Sequence, residues 1–150
     1  MNRRSVGFFV FAIVLASSIT ASSTAGAPDL KKIKCPISGR PVKATATAEL
    51  DDYTVYFCCG NCVKAFKKDN AKFTAKAFHQ VVATNQAEQG TCPKSGKGLN
   101  PGVALDVNGV SVSFCCKRCK GWAVKLAGDA RIQKIFNRAA FKKHFSKVEK

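Results

Sequence analysis

Eight cysteines, at positions 35, 58, 59 and 62 and again at 92, 115, 116 and 119, are the residues of this chain best suited to chemistry. In each group one thiol stands well ahead of a tight cluster of three. A divalent ion such as zinc takes thiolates at about 2.3 Å in a tetrahedral array, and two thiolates one helical turn apart can face one ion. Cys58 and Cys62 meet that condition if a helix begins at the cluster, and Cys59 and Cys62 meet it as a C-x-x-C knuckle. A helix N-terminus here would also favour thiolate, because its unpaired N–H groups and positive dipole end stabilise the anion. Disulfide formation is the competing use, since proteins of oxidising compartments normally pair their cysteines and eight is an even number. Four thiols within one hairpin's reach would, however, close mainly short loops. Redox exchange through Cys59 and Cys62, or Cys116 and Cys119, is a third use, but a thioredoxin-like domain needs more sheet than either half of this chain can supply.

Few other residues compete with the thiols. His79 and His144 do not correspond between the halves and neither adjoins a cluster, so both read as helical surface residues rather than ligands. Trp122, the single Trp, reads as core or packing between the halves. Ser38 and Ser95 sit in Ser-Gly turns with no repeated His and acidic partner, which argues against a nucleophile. With no Gly-rich phosphate loop either, the expectation is a protein that is not an enzyme.

The elements that must position the thiols are written twice. Every cysteine recurs at an offset of 57, and Pro36, Ser38, Gly39, Val55 and Phe57 recur as Pro93, Ser95, Gly96, Val112 and Phe114. In the second unit Val103, Leu105 and Val107 alternate, Asn108-Gly109 turns the chain, and Val110, Val112 and Phe114 resume, a strong hairpin signal. The first unit has Val42, Ala44, Ala46 and Ala48 on one face, a turn near Asp51-Asp52, and a return strand from Tyr53 to Phe57. Helical spacing follows each cluster: Val63, Phe66, Phe73, Ala77 and Val81 in the first unit, with Asp69 or Asn70 as N-cap of a second helix. Asp129 precedes Ile132, Ile135, Phe136 and Ala139 in the second. The register slips behind the second cluster, where Ala123 stands for Phe66. The fold class expected is α+β: two small treble-clef-like modules, each a β-hairpin followed by helices around a cysteine cluster.

Cys35-Pro36-Ile37-Ser38-Gly39, then Tyr56-Phe57-Cys58 and Cys62, with Phe66 and the stretch Lys68-Asp69 to Lys72-Phe73, resembles the YHS and TRASH group of metal-binding domains. Cys92-Pro93-Lys94-Ser95-Gly96 and Phe114-Cys115 to Cys119 match likewise, although Ala123 and Gly128-Asp129 depart from the pattern. The resemblance implies metal ligands Cys35, Cys58 and Cys62, and Cys92, Cys115 and Cys119, with zinc or copper(I) as the ion. Cys59 and Cys116 stand where the group commonly has a small residue. Each either completes a four-thiolate zinc site or is a spare thiol. Adjacent helical residues lie about 100° apart and rarely reach one ion together, which favours three ligands, and an open three-thiolate site suits a soft ion such as Cu(I).

The first residues read as a segment for export. Arg3 and Arg4 precede an uncharged apolar run from Val6 to Ala16 and then small residues, the pattern of a signal peptide, here assigned to 1–25. The first module is then 26–83, the polar stretch 84–91 the linker, and 92–150 the second module with a basic C-terminal helix. The mature chain would keep 23 positive against 9 negative side chains, a formal +14. Such a charge attracts anionic envelope surfaces or acidic proteins, or simply forms solvated lysine faces, and export makes nucleic acid the poorer partner. The expected protein is periplasmic or secreted, binds metal ions through thiolates for buffering, delivery, sensing or structural stabilisation, and has no transmembrane span in its mature form. The alternative is a disulfide-stapled or thiol-redox envelope protein, or a basic adaptor whose metals are purely structural.

Overall fold

Alternating apolar residues around tight turns produce the two expected hairpins. In the computed structural model, which describes residues 29–149, β1 (Lys43–Leu50) pairs antiparallel with β2 (Tyr53–Phe57). Strands β4 (Asn100–Val107) and β5 (Val110–Phe114) repeat the arrangement. The proposed signal peptide, 1–25, lies outside the described residues. Asn108 and Gly109 have φ of 51° and 87°, the two consecutive left-handed residues that a type I′ turn requires. In the first hairpin Asp51 adopts 52° at the same place. Pairing runs from Leu50↔Tyr53 to Thr47↔Tyr56 and then skips to Lys43↔Phe57; in the second hairpin it runs from Val107↔Val110 to Ala104↔Ser113 and then to Asn100↔Phe114. The bulge thus recurs at equivalent positions and interrupts the ladder just where the return strand reaches the cysteines. It also breaks the expected alternation, since Ala44 falls in it and is exposed.

Behind the hairpins lie α1 (Gly60–Lys68) and α2 (Thr74–Ala83) in the first unit, and α3 (Lys117–Lys125), α4 (Gly128–Phe136) and α5 (Arg138–His144) in the second. The helix starts differ from expectation. Asp69 ends α1, and its carboxylate accepts from the Lys72 N–H at 3.4 Å, so α2 begins only at Thr74 with Phe73 as its cap residue. Asp129 lies inside the first turn of α4 rather than ahead of it. The helix expected to run through Ala139 breaks at Asn137, whose side-chain oxygen accepts from the Ala140 N–H at 3.0 Å and starts α5. Nor does the basic tail prolong that helix. After His144 the chain extends as β6 (Phe145–Lys147), antiparallel to β3 (Ala87–Gln89). Because β3 lies within 84–91, the connection between the units is a structural element and not a free tether.

One hydrophobic core runs through both units, from Val55, Phe57, Phe66, Phe78 and Val81 to Val112, Phe114, Ile135, Phe136 and Phe141. The end of the second unit packs back on the first. Phe141 stacks on Phe78 at 4.0 Å between ring centroids, takes the edge of Tyr53 at 5.6 Å and stacks on Phe145 at 5.2 Å. Beside this stack one guanidinium nitrogen of Arg138 meets both carboxylate oxygens of Asp51, at 2.6 and 2.7 Å, on the first hairpin's turn.

Both histidines depart from the expected helical surface. His79 is half-buried, with Nε2 2.7 Å from the Val107 carbonyl oxygen and its ring edge-on to Phe136, so it joins the units. His144 is buried, its Nδ1 2.9 Å from Thr91 Oγ1, while its carbonyl oxygen accepts from the N–H groups of Gly90 and Thr91. Trp122 is half-buried against the shared core, with Lys94 Nζ 5.0 Å from its ring centroid.

Candidate metal centre

Each cysteine group is assembled from one loop and one strand-to-helix junction. In the loop the Cys35 N–H donates to the Arg40 carbonyl at 2.8 Å and the Gly39 N–H donates to the Cys35 carbonyl at 2.9 Å. In the second unit Cys92 bonds to Lys97 at 2.9 Å and Gly96 to Cys92 at 2.8 Å. Gly39 and Gly96 both have φ of 70°, a left-handed conformation that glycine adopts without strain. The loops tuck Cys35 and Cys92 into the interior, 2% and 0% exposed. At the junctions Cys59 and Cys116 are the N-cap residues of α1 and α3, so Cys58 and Cys115 lie ahead of the helix and Cys62 and Cys119 lie in its first turn.

The resulting geometry is the same twice. The sulfurs of Cys35, Cys58 and Cys62 all lie within 4.8 Å of one another, as do those of Cys92, Cys115 and Cys119. Cys58 and Cys62 are 3.6 Å apart, and so are Cys115 and Cys119. Ser38 Oγ stands 3.2 Å from Cys58 Sγ, and Ser95 Oγ 3.2 Å from Cys115 Sγ, so these serines orient sulfur. The two histidines are engaged elsewhere in the fold. All eight cysteines are free thiols, so the disulfide framework weighed from the sequence is not formed.

Cys59 and Cys116 do not behave as adjacent helical residues. Cys59 has φ −165° and ψ 166°, and Cys116 nearly the same. In this extended conformation, ahead of the helix, each brings its sulfur to 3.7 Å from the preceding one. The 100° separation that argued against their sharing an ion with their neighbours therefore does not apply here.

Electrostatics divides each group. Burial opposes a thiolate at Cys35, but the Ser38 hydroxyl and the N–H groups of Ser38, Cys58 and Ile37 outweigh it and bring that thiol down to about 7. Burial likewise opposes ionisation of Cys92, yet the Ser95 hydroxyl and the N–H groups of Cys115, Lys94 and Ser95 bring it to about 6. Cys62 is pushed up to about 12 by burial, by the neighbouring thiols of Cys58, Cys35 and Cys59, and by negative charge on Cys35. Cys119 rises to about 12 by burial and through Cys115, Cys116 and Cys92. The exposed thiols of Cys59 and Cys116 are drawn below the ordinary range, chiefly by the N–H groups of Cys62 and Cys119. Sulfurs this close cannot all ionise side by side, and a cation among them removes that conflict. The donor set thus fits a thiophilic ion.

A glutamine holds the two arms of each group together, and sequence reasoning missed both. Gln80 of α2 accepts from the Tyr56 N–H at 2.7 Å and donates to the carbonyls of Tyr56 at 2.8 Å and Lys34 at 3.0 Å. Gln89 of β3 accepts from the Ser113 N–H at 2.9 Å and donates to the carbonyls of Ser113 at 2.8 Å and Thr91 at 3.1 Å. Lys34 and Thr91 directly precede the first cysteines, and Tyr56 and Ser113 lie two residues before the clusters. The clamped positions are repeat equivalents, whereas the clamps come from opposite sides: α2 follows its cluster and β3 precedes its own.

No protein-family model, curated protein or solved structure matches this chain. What its sites can do rests on the chemistry of the groups they contain: two sets of three cysteines, each able to hold a metal ion.

Proposed function

We propose that this is an exported, non-catalytic heavy-metal-binding protein that takes up thiophilic ions, zinc or copper(I), at Cys35, Cys58 and Cys62 and at Cys92, Cys115 and Cys119. One observation carries the reading: two triads of free thiols, each within 4.8 Å, are built by the same loop, junction and serine contact in both halves. The resemblance of those loops and junctions to the YHS and TRASH group points to the same function. Export is read from Arg3, Arg4 and the apolar run behind them. No described helix is long and apolar enough to cross a membrane. The formal charge of the mature chain suits a protein held near anionic envelope surfaces.

Buffering or delivery is favoured over purely structural metal. Modules of this size bury too little to be secure alone, which is why small domains so often depend on an ion. Here the two units share one core, and Cys58, Cys62 and Cys115 are only half-buried at its edge. The fold has packing of its own, and the ions would sit where a partner's ligands can reach them. Zinc titration of the reduced full-length chain tests this directly. Two ions per chain are expected, falling to one in Cys62→Ser and in Cys119→Ser. Unchanged uptake in both variants would refute the assignment.

A further inference from the structure

The two cysteines outside the triads have a geometry of their own. Cys59 Sγ lies 3.7 Å from Cys58 and 3.9 Å from Cys62, which are themselves 3.6 Å apart. These three sulfurs form a second triangle that shares the Cys58–Cys62 edge with the inner triad. With metal–sulfur bonds of about 2.3 Å, ligands around one ion are separated by about 3.8 Å in a tetrahedral array and about 4.0 Å in a trigonal one. The outer triangle matches that spacing without rearrangement. It is also on the solvent side, since Cys59 is exposed whereas Cys35 is buried. The second unit repeats two of its edges, with Cys116 exposed and 3.7 Å from Cys115, itself 3.6 Å from Cys119.

We infer that each unit binds a second Cu(I) ion on this outer face, held by Cys59 with Cys58 and Cys62 as bridging thiolates, and by Cys116 with Cys115 and Cys119. The inference rests on the metal-binding reading of the inner triads and adds a second site to each. Thiolate sulfur has lone pairs enough to bridge two soft ions, and Cu(I) accepts the low coordination numbers this arrangement offers. Charge balances as well. The second ion adds one positive charge and one further thiolate, with loss of the Cys59 or Cys116 proton to solvent, so the net charge of the cluster does not change. The outer ion, bound partly by an exposed cap residue, is the one an incoming thiolate would meet first.

The test is anaerobic titration of the reduced full-length chain with Cu(I), read against a chromophoric chelator and by X-ray absorption. The wild type is expected to take up four ions and to show a copper–copper shell. The double variant Cys59→Ser, Cys116→Ser should take up two and lack that shell. Serine is a favourable N-cap residue, so the double variant keeps its helix starts. Saturation of the wild type at two ions, or four ions retained in the double variant, would overturn the outer sites while leaving the inner ones standing. No uptake at all would overturn the inner sites too.

Discussion

Replacing Gln80 by alanine removes three hydrogen bonds from a residue that is only 3% exposed. The N–H and carbonyl of Tyr56 lose their partner, and so does the carbonyl of Lys34. At about 1 kcal/mol net for each bond the cost is about 3 kcal/mol, and stranding of half-buried backbone groups acts in the same direction. Part of that cost should fall on the first metal site, because the clamp sets the distance between the arm carrying Cys35 and the arm carrying Cys58. If half of it appears in binding, about 1.4 kcal/mol, zinc affinity at that site drops about tenfold. The assay pairs urea denaturation of the metal-free, reduced protein with zinc competition that resolves the two sites. Gln86→Ala is the control: it severs three bonds, two to the Thr54 backbone at 2.8 Å each and one to Thr84 Oγ1 at 2.7 Å, but touches no residue adjoining a cysteine. It should lower stability by about 3 kcal/mol, as much as Gln80→Ala, and leave both affinities unchanged. Gln89→Ala should weaken the second site alone. Equal weakening of both sites by Gln80→Ala, or weakening by Gln86→Ala as well, would refute the clamp.

Other outcomes follow from the same geometry. Phe141→Ala should cost about 3–5 kcal/mol, because the ring is 2% exposed and packs against Phe78, Tyr53 and Phe145. Denaturation should remain a single transition, and two separate transitions would contradict the shared core. Burial holds the His79 pKa below its ordinary 6.5. Between the folded and unfolded values the unfolded chain binds more protons, so stability falls as pH drops below about 6.5. His79→Gln should flatten that slope in thermal melts at a series of pH values, leaving the parts due to His144, which burial shifts in the same direction, and to the lowered Cys92 thiol. Stripping metal with a chelator should leave the helical circular dichroism nearly intact, whereas loss of helix would mark the ions as structural.

The hairpins were legible because period-2 alternation and Asn108-Gly109 are local signals that packing has no reason to override. The triads were legible because duplication marked their members at a fixed offset. The glutamine clamps were not, since the residue 57 positions after Gln80 is Asn137, which caps a helix instead. The second unit recruits Gln89 from the connecting strand, and only the folded chain relates the two. The break at Asn137 and strand β6 were equally hidden. The Phe141 contacts with Phe78 and Tyr53 that direct this tail back to the first unit join residues far apart in sequence, which no local periodicity records. For Cys59 and Cys116 the sequence showed adjacency but not the extended conformation that brings their sulfurs beside their neighbours.

Metal content and thiol state of the freshly isolated native protein test the central claim most directly. Elemental analysis should find at least two thiolate-bound zinc or copper ions per chain, and alkylation after denaturation and chelation should label all eight cysteines. Protein isolated without metal, with its cysteines paired as disulfides, would contradict it.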